Sequence, residues 1–85
     1  MSIINQLTLQ STFSAAGHEW IVVKVEETWT GKVVSIVPSV SLSKDEWEDV
    51  TKYLVEFDKT GYGFSRIGYK DFNPANWWIE LFVAK

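Results

Sequence analysis

The chain has 85 residues, room for one folded domain over residues 1–85, since single cores generally take roughly 50–200 residues. Hydrophobic residues make up 46% and aromatic residues 15% of it, too much apolar mass for a disordered segment. Eleven acids against eight lysines and arginines leave a formal charge of −3, the wrong sign for binding phosphates without regard to sequence, and the lack of cysteine excludes disulfides, thiolate zinc sites and cysteine nucleophiles.

The first residues carry no basic stretch followed by an apolar run of signal-peptide length, and no later stretch approaches the roughly 18 apolar residues of a membrane span. The expectation is a cytoplasmic protein without a membrane partner. Over residues 3–13 the apolar side chains Ile3, Leu7, Leu9 and Phe13 fall on odd positions with polar residues between, the period of a half-buried strand. Ala15-Ala16-Gly17-His18 breaks this pattern and predicts a tight reversal, because Gly17 accepts a positive φ without steric cost. The second strand covers 19–29, with Ile21, Val23 and Val25 on one face and Trp20, Val22, Lys24 and Glu26 on the other. A turn at Trp29-Thr30-Gly31-Lys32 leads into the run Val33-Val34-Ser35-Ile36-Val37, a third strand ended by Pro38.

Ser43 and Glu46 have capping-box spacing, and Asp45 and Glu46 sit where the positive end of a helix dipole favours acids. The helix is predicted over 44–58. Trp47, Val50, Tyr53, Leu54 and Phe57 form its apolar stripe, while Asp45, Glu48, Asp49, Lys52 and Glu56 collect opposite, with Glu48 and Lys52 as an i,i+4 pair. Thr60-Gly61-Tyr62-Gly63 ends the helix and starts a fourth strand, with Tyr62, Phe64 and Arg66 on one face and Ile67 and Tyr69 on the other. In it Gly63 and Gly68 mark bulges or close backbone approach. Asp71-Phe72-Asn73-Pro74 is a turn, and 77–84 closes the chain as a strand apolar on both faces. The fold class is α+β: β-β-β-α-β-β, a single antiparallel sheet of about five strands with one amphipathic helix on one face.

One helix of that length covers two to three strands, so the second sheet face needs a cover of its own. The alternation puts Trp20, Val22, Trp78 and Phe82 in the register opposite to their strands' main apolar sets. Either the sheet curls toward a partial barrel or loop residues such as Phe72 and Trp77 fold over it. Otherwise these four side chains form an apolar interaction face for a homodimer or another protein.

Candidate chemistry is thin. His18 is the lone histidine and lies in a turn, with no nucleophile elbow around Ser11 or Ser14. One histidine with scattered carboxylates lacks metal-ligand spacing, Glu26-Glu27 point to opposite strand faces, and Asp45-Glu46 already serve the helix N-terminus. Gly61, Gly63 and Gly68 follow the helix, where a phosphate-binding loop would open one. The reading is therefore a non-enzymatic protein-binding module with no cofactor or metal. A helix face of Asp45, Glu48, Asp49 and Glu56 would meet a basic surface, including that of a nucleic-acid-binding partner. Small acidic phage or mobile-element inhibitors and adaptors that occupy a host protein are the analogy, drawn from size and charge alone. The alternative is single-stranded nucleic-acid binding through Tyr62, Phe64, Arg66, Tyr69 and Lys70, a basic and aromatic mix that the net charge disfavours.

Overall fold

A computed structural model of the chain describes residues 8–54 and 64–84. Five strands, β1 (Thr12–Ala15), β2 (His18–Thr28), β3 (Gly31–Pro38), β4 (Phe64–Tyr69) and β5 (Trp77–Ala84), form one antiparallel sheet in the order β1-β2-β3-β5-β4. The helix α1 (Lys44–Lys52) lies between β3 and β4 in sequence. The α+β order read from the sequence holds. The sheet stays open with β1 and β4 at its edges, so curling into a barrel is not how it buries its second face. Since β5 is antiparallel to both neighbours, β3 and β4 run parallel with β5 inserted between them, a split β-α-β crossover.

Turn chemistry sets the two N-terminal hairpins. Ala16 and Gly17 have φ of 53° and 77° between the paired residues Ala15 and His18, the double positive φ of a type I′ turn. In the next hairpin, Thr28 Oγ1 accepts from Gly31 N and donates to Gly31 O, both at 3.0 Å, clasping the loop Trp29-Thr30. The first strand is shorter than the alternation over 3–13 suggests. Thr8 N donates to Ser11 Oγ at 3.0 Å and Ser11 N to Thr8 O, while Gln10 takes φ 71°, so residues 8–11 form a turn that leaves Leu9 exposed. Ile3 and Leu7 lie outside the described residues.

The second strand is where alternation misassigns the faces. Val22 pairs with Ile36 and Lys24 with Ser35, two steps on β2 against one on β3, which makes Val23 the extra residue of a bulge. A bulge resets parity. Trp20 and Val22 before it and Val25 after it therefore face the same side, the side of the helix, and Ile21 faces away. Trp20 and Val22 are fully buried in the core with Val34, Ile36, Ile79 and Leu81 from the sheet and Leu42, Trp47 and Val50 above it. Their place on an exposed apolar face is thus corrected.

The helix begins as its local chemistry demands. Ser43 Oγ accepts from Glu46 N at 3.2 Å and Glu46 Oε1 accepts from Ser43 N at 3.0 Å, the reciprocal capping box. Regular helix ends at Lys52, with Tyr53 as its C-cap at φ −112°. The buried stripe is Trp47 and Val50, with Leu54 packed beside it, whereas Tyr53 is exposed because the chain leaves helical geometry there. Lys52 pairs with Asp49 at 3.5 Å, one residue nearer than the expected partner Glu48. Glu56 and Phe57 lie outside the described residues.

Candidate functional site

The sheet face turned away from α1 is the surface on which the sequence-predicted residues converge. Alternation around the buried Val34, Ile36, Ile79 and Leu81 puts Val33, Ser35 and Val37 of β3 and Trp78, Glu80 and Phe82 of β5 outward. Three rows cross the strands. Lys24, Ser35, Glu80 and Arg66 are successive Cα partners in the middle row, Glu26, Val33, Phe82 and Phe64 in the row toward the β2–β3 turn, and Ile21/Val37 and Trp78/Gly68 pair on the other side. The face is a polar band between two largely apolar ones. None of Ile21, Val23, Val33, Val37, Trp78 and Phe82 is fully buried, and Val23 is 49% exposed on the bulge.

Geometry fixes the polar band. Arg66 Nε donates to Glu80 Oε1 at 2.7 Å, and the guanidinium carbon lies 5.3 Å from the Phe82 ring centroid, a cation–π arrangement. The pair is lopsided: the Glu80 side chain is 18% exposed and that of Arg66 64%. Trp78 packs against Gly68 so closely that a Cβ at position 68 would collide with its indole. The close approach expected at Gly68 is realised, and the empty position on β4 is filled by a ring borrowed from β5. Lys24 lies 3.6 Å from Glu26 at the far end of the face.

The other expected cover is absent from this side. Trp77 faces α1, its ring 5.9 Å from that of Trp47 and 5.8 Å from that of Tyr69, and Phe72 stands in the loop before β5 with 95% of its surface exposed. Trp78 and Phe82 thus keep their predicted outward positions, whereas their proposed companions Trp20 and Val22 lie beneath the helix. Ile21, Val23, Val33 and Val37 take that place, and sequence reasoning missed them. The continuous apolar run of β3 was the signal available for two of them, since a strand without polar alternation is apolar on both faces.

The acidic face is partly formed within the described residues. Asp45, Glu48 and Asp49 are exposed on α1, with Asp49 engaged by Lys52, and Glu56 lies outside the described residues. The nucleic-acid set is divided. Arg66 faces outward, Tyr69 turns to the helix side against Trp77, and Lys70 follows the strand in the loop. Tyr62 and the side chain of Phe64 lie outside the described residues.

His18 is half-buried at the start of β2, edge-on to Trp20 at 6.3 Å between centroids. Its neighbourhood bears on Glu46, whose carboxyl is held below the ordinary glutamate range. The backbone N–H of Ser43 is the main cause, followed by the Ser43 side chain, with a small opposing effect of desolvation and a further lowering by the charge of His18. Ser11 is committed to its turn with Thr8, and Glu26 and Glu27 to Lys24 and Lys32. Among the described residues, no three histidines, cysteines or carboxylates gather in a way that could hold a metal ion, and no helix is long and apolar enough to cross a membrane. Comparison of the chain with protein-family models, with curated proteins and with solved structures finds no match.

Proposed function

We propose that the chain is a non-enzymatic protein-binding module and that its outer sheet face is the contact surface. One observation carries this reading: an antiparallel sheet with one face under a helix ordinarily turns polar side chains to water on the other, yet here two of three rows are largely apolar. Such a surface, with a polar band to fix orientation, is suited to a partner protein of matching relief. The acidic helix residues Asp45, Glu48 and Asp49 lie on the element that covers the opposite face, so they form a second contact surface, suited to a basic partner, and add association rate more than affinity.

The two surfaces separate by mutation. Val23→Asp should leave the fold intact, since Val23 is half-exposed on a bulge, and should abolish capture of the partner that the unmodified chain retains. Charge reversal of Asp45, Glu48 and Asp49 together should leave capture in place at physiological salt and slow it at low salt. Loss only in the helix variant would transfer the function to the acidic face, and retention in both would defeat the reading. An oligonucleotide bound by the unmodified chain at low salt, and lost in Arg66→Gln, would replace it with the nucleic-acid alternative.

A further inference from the structure

We propose that Arg66 is the centre of a carboxylate subsite on the outer sheet face, and that the partner docked there brings an acidic side chain with an apolar or aromatic neighbour. The inference rests on the protein-binding reading and names the chemistry that the partner supplies. Three outward residues of β5, Trp78, Glu80 and Phe82, prepare the subsite. Glu80 Oε1 accepts from Arg66 Nε at 2.7 Å, and the guanidinium carbon stands 5.3 Å from the Phe82 centroid. These two contacts restrain a long side chain before anything binds, which lowers the entropy lost when a ligand arrives.

The restraint leaves the recognising end of the group open. Nε makes the only hydrogen bond of the guanidinium among the described residues, so both terminal nitrogens remain as a fork that matches the two oxygens of a carboxylate. The exposures agree with this division: the Glu80 side chain is largely covered, while that of Arg66 is 64% exposed. Charge favours an acid from outside. The outward carboxylates of Glu26 and Glu80 are already engaged by Lys24 and Arg66, no acid occurs from Phe64 to Lys70, and Lys70 adds a second cation after the strand.

An apolar neighbour is required by what surrounds the fork. Two residues along β4 from Arg66, Gly68 has no side chain, and the half-buried indole of Trp78 packs into that place. Positions two apart on one strand are about 7 Å apart, so a carboxylate on the fork has an aromatic surface within one side-chain length. A wholly polar acid leaves this ring in water, and an uncharged apolar group leaves the fork unanswered.

The probe is 4-phenylbutanoate, whose ring and carboxylate span a comparable length, titrated to about 20 mM into the ¹⁵N-labelled full chain at constant ionic strength. Saturable shifts of the Arg66 Nε–H and the Trp78 indole N–H are expected, with a millimolar dissociation constant suited to one fork and one ring. The neutral 4-phenylbutanamide should bind about tenfold more weakly, and phenylacetate, too short to reach both groups, about threefold to tenfold more weakly. Arg66→Gln should abolish the preference for acid over amide. Arg66→Lys keeps a cation beside Glu80 but removes the fork, and should reduce that preference about threefold.

Absence of saturable binding, equal binding of acid and amide, or equal shifts with inorganic phosphate would each overturn the subsite. Micromolar binding of 4-phenylbutanoate would make a free organic acid the ligand and overturn its assignment to a partner's side chain. Shifts of Arg66 and Trp78 on diluting the unliganded chain from about 1 mM to about 0.05 mM would overturn it in favour of a second copy. None of these readouts uses the partner capture that tests the outer face, so the subsite and the protein-binding reading fail separately.

Discussion

At the scale of single residues, the five tryptophans divide the work of the molecule. Trp20, Trp47 and Trp77 join edge to face between the sheet and the helix, with centroids 5.8 and 5.9 Å apart, extended by His18 at one end and Tyr69 at the other. Contacts of this kind add about 0.5–1.5 kcal/mol each beyond area burial. Two indole N–H groups in the chain of rings are satisfied by backbone oxygens, Trp20 by Ala15 at 2.8 Å and Trp77 by Asp71 at 2.7 Å, whereas Trp47 Nε1 is buried without a partner among the described residues. Trp78 is a surface platform, and Trp29 at the hairpin tip is 88% exposed. The sequence already puts Trp47 on the helix stripe, Trp29 in a turn and Trp77 and Trp78 on opposite strand faces; for Trp20 only the pairing of β2 with β3 reveals the face. A sharper residue-level expectation concerns Ala16, an L-residue held at φ 53°. The left-handed region costs a residue with a Cβ about 1 kcal/mol or more, and asparagine before glycine is the favoured pair for this turn. Ala16→Asn should stabilise the chain by about 0.5–1 kcal/mol and raise the melting temperature by roughly 2–8 °C in a calorimetric scan.

At the scale of elements, legibility follows the range of the interaction that decides each one. The helix start is readable because Ser43 and Glu46 are three residues apart and settle the matter between themselves. Further along, regular helix breaks at Tyr53, which is exposed and so leaves the expected stripe, and residues 55–58 of the expected helix lie outside the described residues. For β2 the deciding fact was the extra residue Val23, which depends on what β3 presents, and no count along β2 alone contains it. That is why Trp20 and Val22 moved from surface to core while Trp78 and Phe82, on the unbulged β5, stayed where alternation put them. The capping box also carries a measurable pH dependence. Glu46 has its folded-state pKa lowered, so its contribution is present above the ordinary glutamate range and is lost as pH falls through the folded-state value. In paired urea titrations, Glu46→Gln should therefore be less stable than the parent at neutral pH, with the difference closing in acid. Ser43→Ala, which removes the side-chain acceptor itself, should cost about 1 kcal/mol at neutral pH.

At the scale of the whole molecule, the two sheet faces have different duties. Stability resides on the helix side, where Ile36 pairs with both Val22 and Ile79 at the centre of the core. Ile36→Ala should cost about 2–5 kcal/mol and lower the melting temperature by roughly 10–30 °C, whereas Val33→Thr on the outer row should cost less than about 1 kcal/mol. Equal losses in thermal melts would mean that the outer face is packed as tightly as the inner one.

The insertion of β5 between β3 and β4 also orders events in time. β4 follows the helix in the chain but can join the sheet only through β5, which is made after it. During synthesis the β2–β3 hairpin can close early, because its contacts are local. β3 and β4 then wait with unpaired backbone edges until the last strand emerges and slots between them. The step that completes the sheet is thus a late, long-range closure, and a chain stalled before Trp77 would present open strand edges that invite pairing with other chains.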